Sequence, residues 1–224
     1  MRGIKKQIRD NKYLNWILIV TNWFFQSIIN ADKTEKIFKI SFTLFFWGVF
    51  YVILKPFLPF STDVLVIISF VIAHTINWIV NGNFYNLIIH RLLLAKLTKK
   101  DLFNYMDNLE EKLQDKDWIL YAASFGSICN GNLKDSSDVD ISIVRRPGFN
   151  NAISAILFSI KEKKYADFNK IPLELYISDS PENSMKRFNV EKNPVIVFDP
   201  DNTIDKYYNE KLTIDEAKKL NNVE

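Results

Sequence analysis

The chain has 224 residues, with 29 Lys and Arg against 26 Asp and Glu, and its formal net charge is +3. This near balance, with the basic residues dispersed, excludes the strongly basic class of nucleic-acid binders. The chain has one cysteine, Cys129, which excludes an internal disulfide and agrees with a reducing compartment.

Apolar residues are concentrated in the first part of the chain. The long apolar runs lie between residues 14 and 95, whereas residues 98–224 carry charges throughout. We therefore predict a membrane-associated helical region over residues 1–97 and a soluble domain over residues 98–224. The second part is long enough to enclose one modest hydrophobic core.

The first apolar segment covers residues 14–29 and has a wide aromatic face. A narrow polar stripe runs along it at helical spacing: Asn15, Asn22, Gln26 and Asn30. Such a helix suits the plane of a membrane interface, and it is short for a span, which needs about 20 residues. Its polar residues disfavour a secretory signal. A core helix of a soluble domain is the alternative.

The segments 40–60 and 64–80 are predicted to form a transmembrane helical hairpin. At 1.5 Å per residue the first covers roughly 30 Å, which is the thickness of a bilayer's hydrocarbon core. Its one charge, Lys55, lies near the end, where its long side chain reaches the headgroups. Pro56 and Pro59 favour a tight turn between the two helices.

Basic residues flank the hairpin on both sides. They are Lys33, Lys36 and Lys39 before it, and Arg91, Lys96, Lys99 and Lys100 after it. The positive-inside rule therefore predicts a protein of the cell membrane with both termini and the soluble domain in the cytoplasm.

A set of polar and aromatic residues shares one face of the second hairpin helix: His74, Asn77, Trp78 and Asn81. Within a membrane, such residues form either a polar site for a lipid-linked substrate or partner helix, or a cluster of hydrogen bonds between helices. We favour the second interpretation.

In the soluble domain, periodicity predicts the order helix, strand, strand, helix, strand, helix, strand, helix, in which the last strand, at 195–198, has an extended edge segment as its alternative. Thr98 and Asp101 are typical of a capping box ahead of a helix over residues 99–115. Further helices are predicted at 151–164, through Ile153, Ile156, Leu157 and Ile160, and at 181–188 and 213–220; strands are predicted at 118–125, 139–144, 173–177 and 195–198. The fold class is therefore α+β, a small mixed sheet with packed helices.

A group of glycine, serine and aspartate residues joins the first two strands. Gly126 and Ser127 end the first strand, Gly131 lies in the following turn, and Asp138 and Asp140 begin the second strand. Residues two apart in a strand point to the same face, so the two carboxylates project together. Their repulsion raises one pKa or requires a cation, and hard divalent cations such as Mg²⁺ prefer carboxylate and phosphate oxygens.

These residues resemble the DNA polymerase β-like nucleotidyltransferase superfamily, in particular its minimal nucleotidyltransferase branch. The signature of that branch is Gly-Ser, three residues, Gly, and later Ser-Asp-x-Asp, and it coincides with residues of this chain: Gly126, Ser127, Gly131, Ser137, Asp138 and Asp140. The family's third carboxylate lies on a later strand between apolar residues, a position that Glu174 occupies.

The resemblance implies a catalytic and metal-binding set of Asp138, Asp140 and Glu174. Two Mg²⁺ or Mn²⁺ ions would be the cofactors, and Glu174 would also help to deprotonate the acceptor hydroxyl. Gly126, Ser127, Gly131 and Ser137 would bind a nucleoside triphosphate such as ATP. The chain departs from the family's pattern in two places, because Asn130 stands where Arg or Lys is common and Glu174 replaces the commoner Asp.

The expected function is a membrane-anchored transferase that moves a nucleoside monophosphate from a triphosphate to a hydroxyl or phosphate acceptor. Membrane lipid is an expected partner, with envelope glycan or lipid assembly as a possible setting. No templated nucleic acid is expected. The alternatives are nucleotidylation of a partner protein, as in toxin–antitoxin pairs, and a catalytically silent nucleotide-binding or partner-binding module.

Three other residues of the same region have plain interpretations. Arg145 and Arg146 follow the strand that carries the aspartates, and we interpret them as solvated rather than as contacts to a nucleotide or an anionic acceptor. Cys129 lies inside the turn, and we interpret it as a small filler residue rather than a reactive thiol.

Overall fold

The computed structural model describes residues 12–26, 28–29, 31–82, 97–135, 137–188 and 193–223. It divides the chain into two compact units, Met1–Arg91 and Leu92–Glu224. The described residues form seven α-helices and one mixed sheet of four strands, which confirms the α+β class.

Within the described residues, the N-terminal unit contains three helices: α1 (Lys12–Phe25), α2 (Lys33–Leu54) and α3 (Thr62–Asn81). Helices α2 and α3 are long and apolar enough to cross a membrane. Helix α1, with 14 residues, is shorter than the roughly 20 residues that a span needs.

Helix α2 begins and ends earlier than the apolar run predicted. The run at 40–60 was expected to be helical throughout, but the helix ends at Leu54 and residues 55–60 form the turn that contains both prolines. The helix begins at Lys33, and Glu35 and Lys39, one turn apart, form a buried ion pair at 2.8 Å near its start. Lys39 was expected among the cations flanking the hairpin, but it is 2% exposed and lies within the helical unit.

Polar side chains join the three helices from the inside. The side-chain amide of Asn77 lies 2.8 Å from Gln26 Oε1, 2.8 Å from Thr43 Oγ1 and 3.1 Å from the Lys39 carbonyl oxygen. The Trp78 indole donates to Asn22 Oδ1 at 2.7 Å. The face of α3 that carries these residues is therefore an interhelical hydrogen-bond cluster, as the sequence analysis favoured.

The outer surface of the same unit is apolar. Large side chains that are at least half exposed occur along α2 and α3: Ile37, Ile40, Leu44, Phe45, Val52, Ile53 and Ile67. A soluble protein seldom exposes so large an apolar surface around a polar interior. The arrangement is consistent with membrane association, where lipid covers the apolar side chains and polar groups pair between helices.

The C-terminal unit is built around the four-stranded sheet. Its helices are α4 (Lys99–Leu113), α5 (Phe149–Phe168), α6 (Pro181–Arg187) and α7 (Ile214–Leu220), and its strands are β1 (Ile119–Phe125), β2 (Val139–Arg145), β3 (Leu173–Ser178) and β4 (Val195–Phe198). The strand order is β3-β2-β1-β4. Strand β1 is antiparallel to both neighbours, whereas β2 and β3 are parallel and are connected through α5.

The two faces of the sheet differ in composition. Val139, Ile141 and Ile143 of β2 join the larger core, which also includes residues of α4, α5 and α7. The opposite face carries a smaller cluster that includes Tyr121, Phe125 and Val144. Because side chains alternate along a strand, even-numbered β2 residues such as Asp140 lie on this second face.

Helix boundaries in this unit follow local chemistry. Thr98 and Asp101 form both hydrogen bonds of the predicted capping box at the start of α4. Helix α5 is longer than predicted, and its buried face differs from the predicted one. Ile156 is buried as expected, but Ile153 is 44% and Leu157 60% exposed, because Ala155, Ser159, Glu162 and Ala166 are among the residues that pack inward.

We expect Asn77→Leu to destabilise the N-terminal unit by about 1–2 kcal/mol, because it leaves the Gln26 side-chain oxygen buried without this donor. Unfolding in mixed micelles of mild detergent and dodecyl sulfate measures the change. Ile67→Leu, on the exposed apolar surface, is the control. Equal stability of the two variants would contradict the role given to the cluster.

Candidate metal site beside a glycine turn

Three carboxylates converge at one end of the sheet. Asp138 immediately precedes β2, and Asp140 is the second residue of that strand. Glu174 is the second residue of β3, and the parallel register sets it directly beside Asp140. One carboxylate oxygen from each of the three residues lies within 4.8 Å of the others.

The chemistry of this acidic group fits a hard divalent cation. Asp138 is exposed, and Asp140 and Glu174 are half-buried, so the three are reachable from solvent. Three neighbouring negative charges repel one another, and a bound cation would relieve that repulsion. All three donors are oxygens, which are the ligands that Mg²⁺ and Mn²⁺ prefer.

The turn after β1 lies against these carboxylates and requires glycine. Gly126 has φ +87°, a backbone conformation that other residues adopt only with strain. A Cβ atom at this position would lie 2.9 Å from Asp140 Oδ2, which is too close for an ordinary contact. The antiparallel pairing of Phe125 with Asp140 produces this approach.

Ser127 and Gly131 lie in the 3₁₀ turn Gly126–Asn130 and at its end. Ser127 is half-buried, and its carbonyl oxygen accepts hydrogen bonds from the amides of Gly131 and Asn132. Gly131 has φ +64°, and a Cβ atom there would lie 3.0 Å from the Leu220 carbonyl oxygen. Gly131 thus closes the turn and packs on the C-terminal helix, whereas Gly126 faces the carboxylates.

Ser137 holds the loop that delivers Asp138 to β2. Its hydroxyl accepts a hydrogen bond from the Lys134 amide at 3.0 Å, and its own amide donates to the Lys134 carbonyl at 2.8 Å. This reciprocal pair forms a tight turn immediately before the first aspartate. Ser137 therefore has a structural role in the described loop.

Tyr176 is a residue near the site that the sequence analysis missed. Its hydroxyl donates to Glu174 Oε2 at 2.5 Å, because residues 174 and 176 share one face of β3. Burial and the negative charge of Glu174 hold the pKa of the Tyr176 phenol well above its usual value. The phenol therefore keeps its proton at neutral pH and orients the carboxylate.

A layer of stacked side chains supports Tyr176. The Arg187 guanidinium lies 4.6 Å from the centre of the Tyr176 ring, and Phe188 meets the same ring edge to face at 5.6 Å. Phe188 in turn stacks on Phe125 at 4.2 Å. The sequence indicates part of this layer, because Glu174 and Tyr176 are two residues apart on β3 and share a face. The contacts of Arg187 and Phe188 depend on how α6 packs on the sheet, which the sequence does not indicate.

Arg145 is less solvated than expected, because its side chain is 12% exposed and pairs with Asp179 at 2.9 Å. Arg146 keeps a 39% exposed side chain, as expected of a solvated residue, and pairs with Asp201 at 2.5 Å. Both arginines therefore contribute ion pairs at the end of β2 away from the carboxylates. Cys129 is buried with its thiol 3.3 Å from the Ser124 carbonyl oxygen, as expected of a filler residue.

Comparison with known proteins adds no identification, because no family model, curated protein or solved structure matches this chain.

We expect Asp138→Asn and Asp140→Asn each to weaken Mn²⁺ binding about tenfold or more, equivalent to about 1.4 kcal/mol, because each removes a charged ligand. Electron paramagnetic resonance of free Mn²⁺ measures the affinity. Asp115→Asn, at an exposed position after α4, is the matched control. Unchanged affinity in both site variants would rule out the proposed ligand set.

We expect Gly126→Ala to weaken Mn²⁺ binding as well, because the new methyl group would push against Asp140 Oδ2. The positive φ adds a cost of roughly 1–2 kcal/mol to the stability of the unit. Gly48→Ala is the control, since a Cβ atom there meets nothing within 4 Å. If the two alanine variants bind Mn²⁺ alike, the glycine turn does not support the site.

Proposed function

We propose that the protein is a membrane-anchored, Mg²⁺-dependent nucleotidyltransferase. The observation that carries this proposal is the convergence of Asp138, Asp140 and Glu174 beside the turn at Gly126. The Gly-Ser and Ser-Asp-x-Asp signature in the sequence supports it independently of the distances. The two long apolar helices support the anchor.

The proposed reaction joins an acceptor to a nucleoside monophosphate. An oxygen of the acceptor, from a hydroxyl or a phosphate, attacks the α-phosphorus of a nucleoside triphosphate. The bond between that phosphorus and the oxygen bridging to the β-phosphate breaks, and pyrophosphate leaves. When the acceptor is a hydroxyl, its proton passes to a base, a role that suits the carboxylate of Glu174.

The carboxylates would hold divalent cations, and the turn would receive the phosphates. Bound Mg²⁺ or Mn²⁺ would neutralise charge on the phosphates and on the attacking and leaving oxygens. Asp138 and Asp140 would serve as ligands from the start of β2, and Glu174 from β3. Gly126 leaves room for a phosphate to approach the backbone, and Ser127 offers a hydroxyl beside it.

Tyr176 would act by positioning rather than by contact with the reacting atoms. Its hydrogen bond to Glu174 Oε2 restricts the rotation of that side chain. Glutamate has one more rotatable bond than aspartate, so it loses more conformational freedom when it binds a metal. A fixed partner at Oε2 reduces that loss, which supports the use of Glu174 in place of the commoner aspartate.

The acceptor in this proposal belongs to the membrane. An anchored enzyme meets lipid-linked sugars, polar-lipid precursors and membrane proteins at a high local concentration. A nucleic-acid acceptor is disfavoured by the small net charge of +3 and the dispersed basic residues. Nucleotidylation of a partner protein uses the same site and remains the second candidate for the acceptor.

The test is incubation of membranes that contain the full chain with Mg²⁺ and triphosphates labelled at the α-phosphate. We expect label in a lipid or protein fraction with the wild type, and a loss of at least about a hundredfold with Asp140→Asn, as is typical when electrostatic stabilisation of a transition state is removed. Asp115→Asn should retain the wild-type rate. Label in lipid, in protein or in neither distinguishes the two acceptors and the catalytically silent module.

A further inference from the structure

Helix α5 has an apolar surface on the side that faces away from the sheet. Its inward residues, such as Ala155 and Ala166, belong to the core. Four large apolar side chains point outward at helical spacing: Phe149 at 78%, Ile153 at 44%, Leu157 at 60% and Phe168 at 88% exposure. We call these four residues the α5 outer face.

Lysines accompany the α5 outer face. At 100° per residue, Lys161 and Lys164 fall within the same sector of the helix as Leu157 and Phe168. Lys161 is exposed, and exposed Lys170 follows the end of the helix. Of the acidic residues of α5, Glu162 is buried at 3% exposure, while Asp167 falls at the same angle as Phe149 and pairs with Lys164 at 2.9 Å. Lys161 and Lys170 are further cations beside the face.

This combination of groups matches the surface of an anionic bilayer. Helices that lie in the membrane interface present phenylalanine and leucine to the acyl boundary and lysine to the headgroups. A face that docks on a protein core usually lacks lysine at its centre, because a buried lysine needs a partner. The charges on the α5 outer face therefore favour anionic lipid over a second apolar protein surface.

We propose that the α5 outer face binds the anionic lipid surface of the membrane in which the chain is anchored. This inference rests on the membrane anchor of the proposed function, but it does not depend on the transfer reaction. Because the chain that carries α5 also carries α2 and α3, lipid is present at a high effective concentration, and weak contacts suffice.

Lipid binding through the α5 outer face would orient the C-terminal unit. The α5 outer face lies on one side of the sheet, and Asp140 and Glu174 lie on the other side. A unit that rests on lipid through α5 therefore presents its carboxylates to the aqueous phase. The acceptor that this orientation suits is a headgroup or protein segment that extends from the bilayer, and not a group buried among acyl chains.

The test places a fluorescent label on the full chain in nanodiscs. Leu157→Cys carries a polarity-sensitive dye, while Cys129 stays unlabelled because it is buried. Asn104→Cys, exposed on α4, is the matched control. The nanodiscs contain either phosphatidylcholine alone or an equal mixture with phosphatidylglycerol, and each is prepared with and without a lipid that carries a quenching nitroxide.

We expect lipid nitroxide to quench the dye at position 157 at least about threefold more than the dye at position 104 in anionic nanodiscs. The quenching should fall when Lys161 and Lys164 are both changed to Glu, and in discs of phosphatidylcholine alone. Equal quenching at the two positions would overturn the proposal. Quenching at position 157 that is the same in anionic and phosphatidylcholine nanodiscs would overturn it as well.

Further readouts distinguish lipid binding by the α5 outer face from self-association, from loss of the membrane anchor and from the transfer reaction. Crosslinking of Leu157→Cys between two copies in detergent would assign the face to self-association and overturn lipid binding. Elution of the chain apart from the nanodiscs would overturn the anchor and the present proposal with it. Incorporation of labelled nucleotide, measured on the same samples, reports the transfer reaction separately from both.

Discussion

The parallel pairing of β2 with β3 is the constraint on which the acidic site depends. It sets Asp140 directly beside Glu174, although 33 residues lie between the two in the sequence. Helix α5 forms the crossover connection between the two strands. Side chains alternate along a strand, so a slip of one residue would send Glu174 into the core and leave the aspartates without their neighbour. The large apolar residues on the other face, such as Ile141 and Leu175, prevent that slip because they are fully buried in the correct register.

Much of this unit could be predicted from the sequence, because its signals are local. The capping box at Thr98, the alternation in β2 and β3 and the spacing of Asp138 and Asp140 each follow from a few adjacent residues. The support of Glu174 by Tyr176, Arg187 and Phe188 could not be predicted in the same way, since α6 must first fold over the sheet. The outward direction of Ile153 and Leu157 was missed for a related reason: small residues on α5 bring it close to the sheet, and periodicity alone favours large ones.

The N-terminal unit shows the limit of counting charges along a sequence. Its polar stripe and apolar surface follow from helical periodicity, and the hydrogen bonds of Asn77 agree with that pattern. Lys39 looked like a flanking cation because it precedes a long apolar run. Its partner Glu35 lies one turn earlier, so the two charges neutralise each other inside the unit, in the part of α2 that precedes the predicted apolar run. The prediction that both termini lie in the cytoplasm therefore rests on the other basic residues that flank the hairpin.

The separation of the two sheet faces bears on how such a protein can change over time. The larger core lies on the side that faces α4, α5 and α7, whereas the carboxylates, their aromatic support and a smaller buried cluster occupy the other side. A substitution at Asp138 itself, which is exposed, removes little buried apolar surface and so leaves the core intact. The exposed part of the carboxylate site can thus change without first requiring a different core.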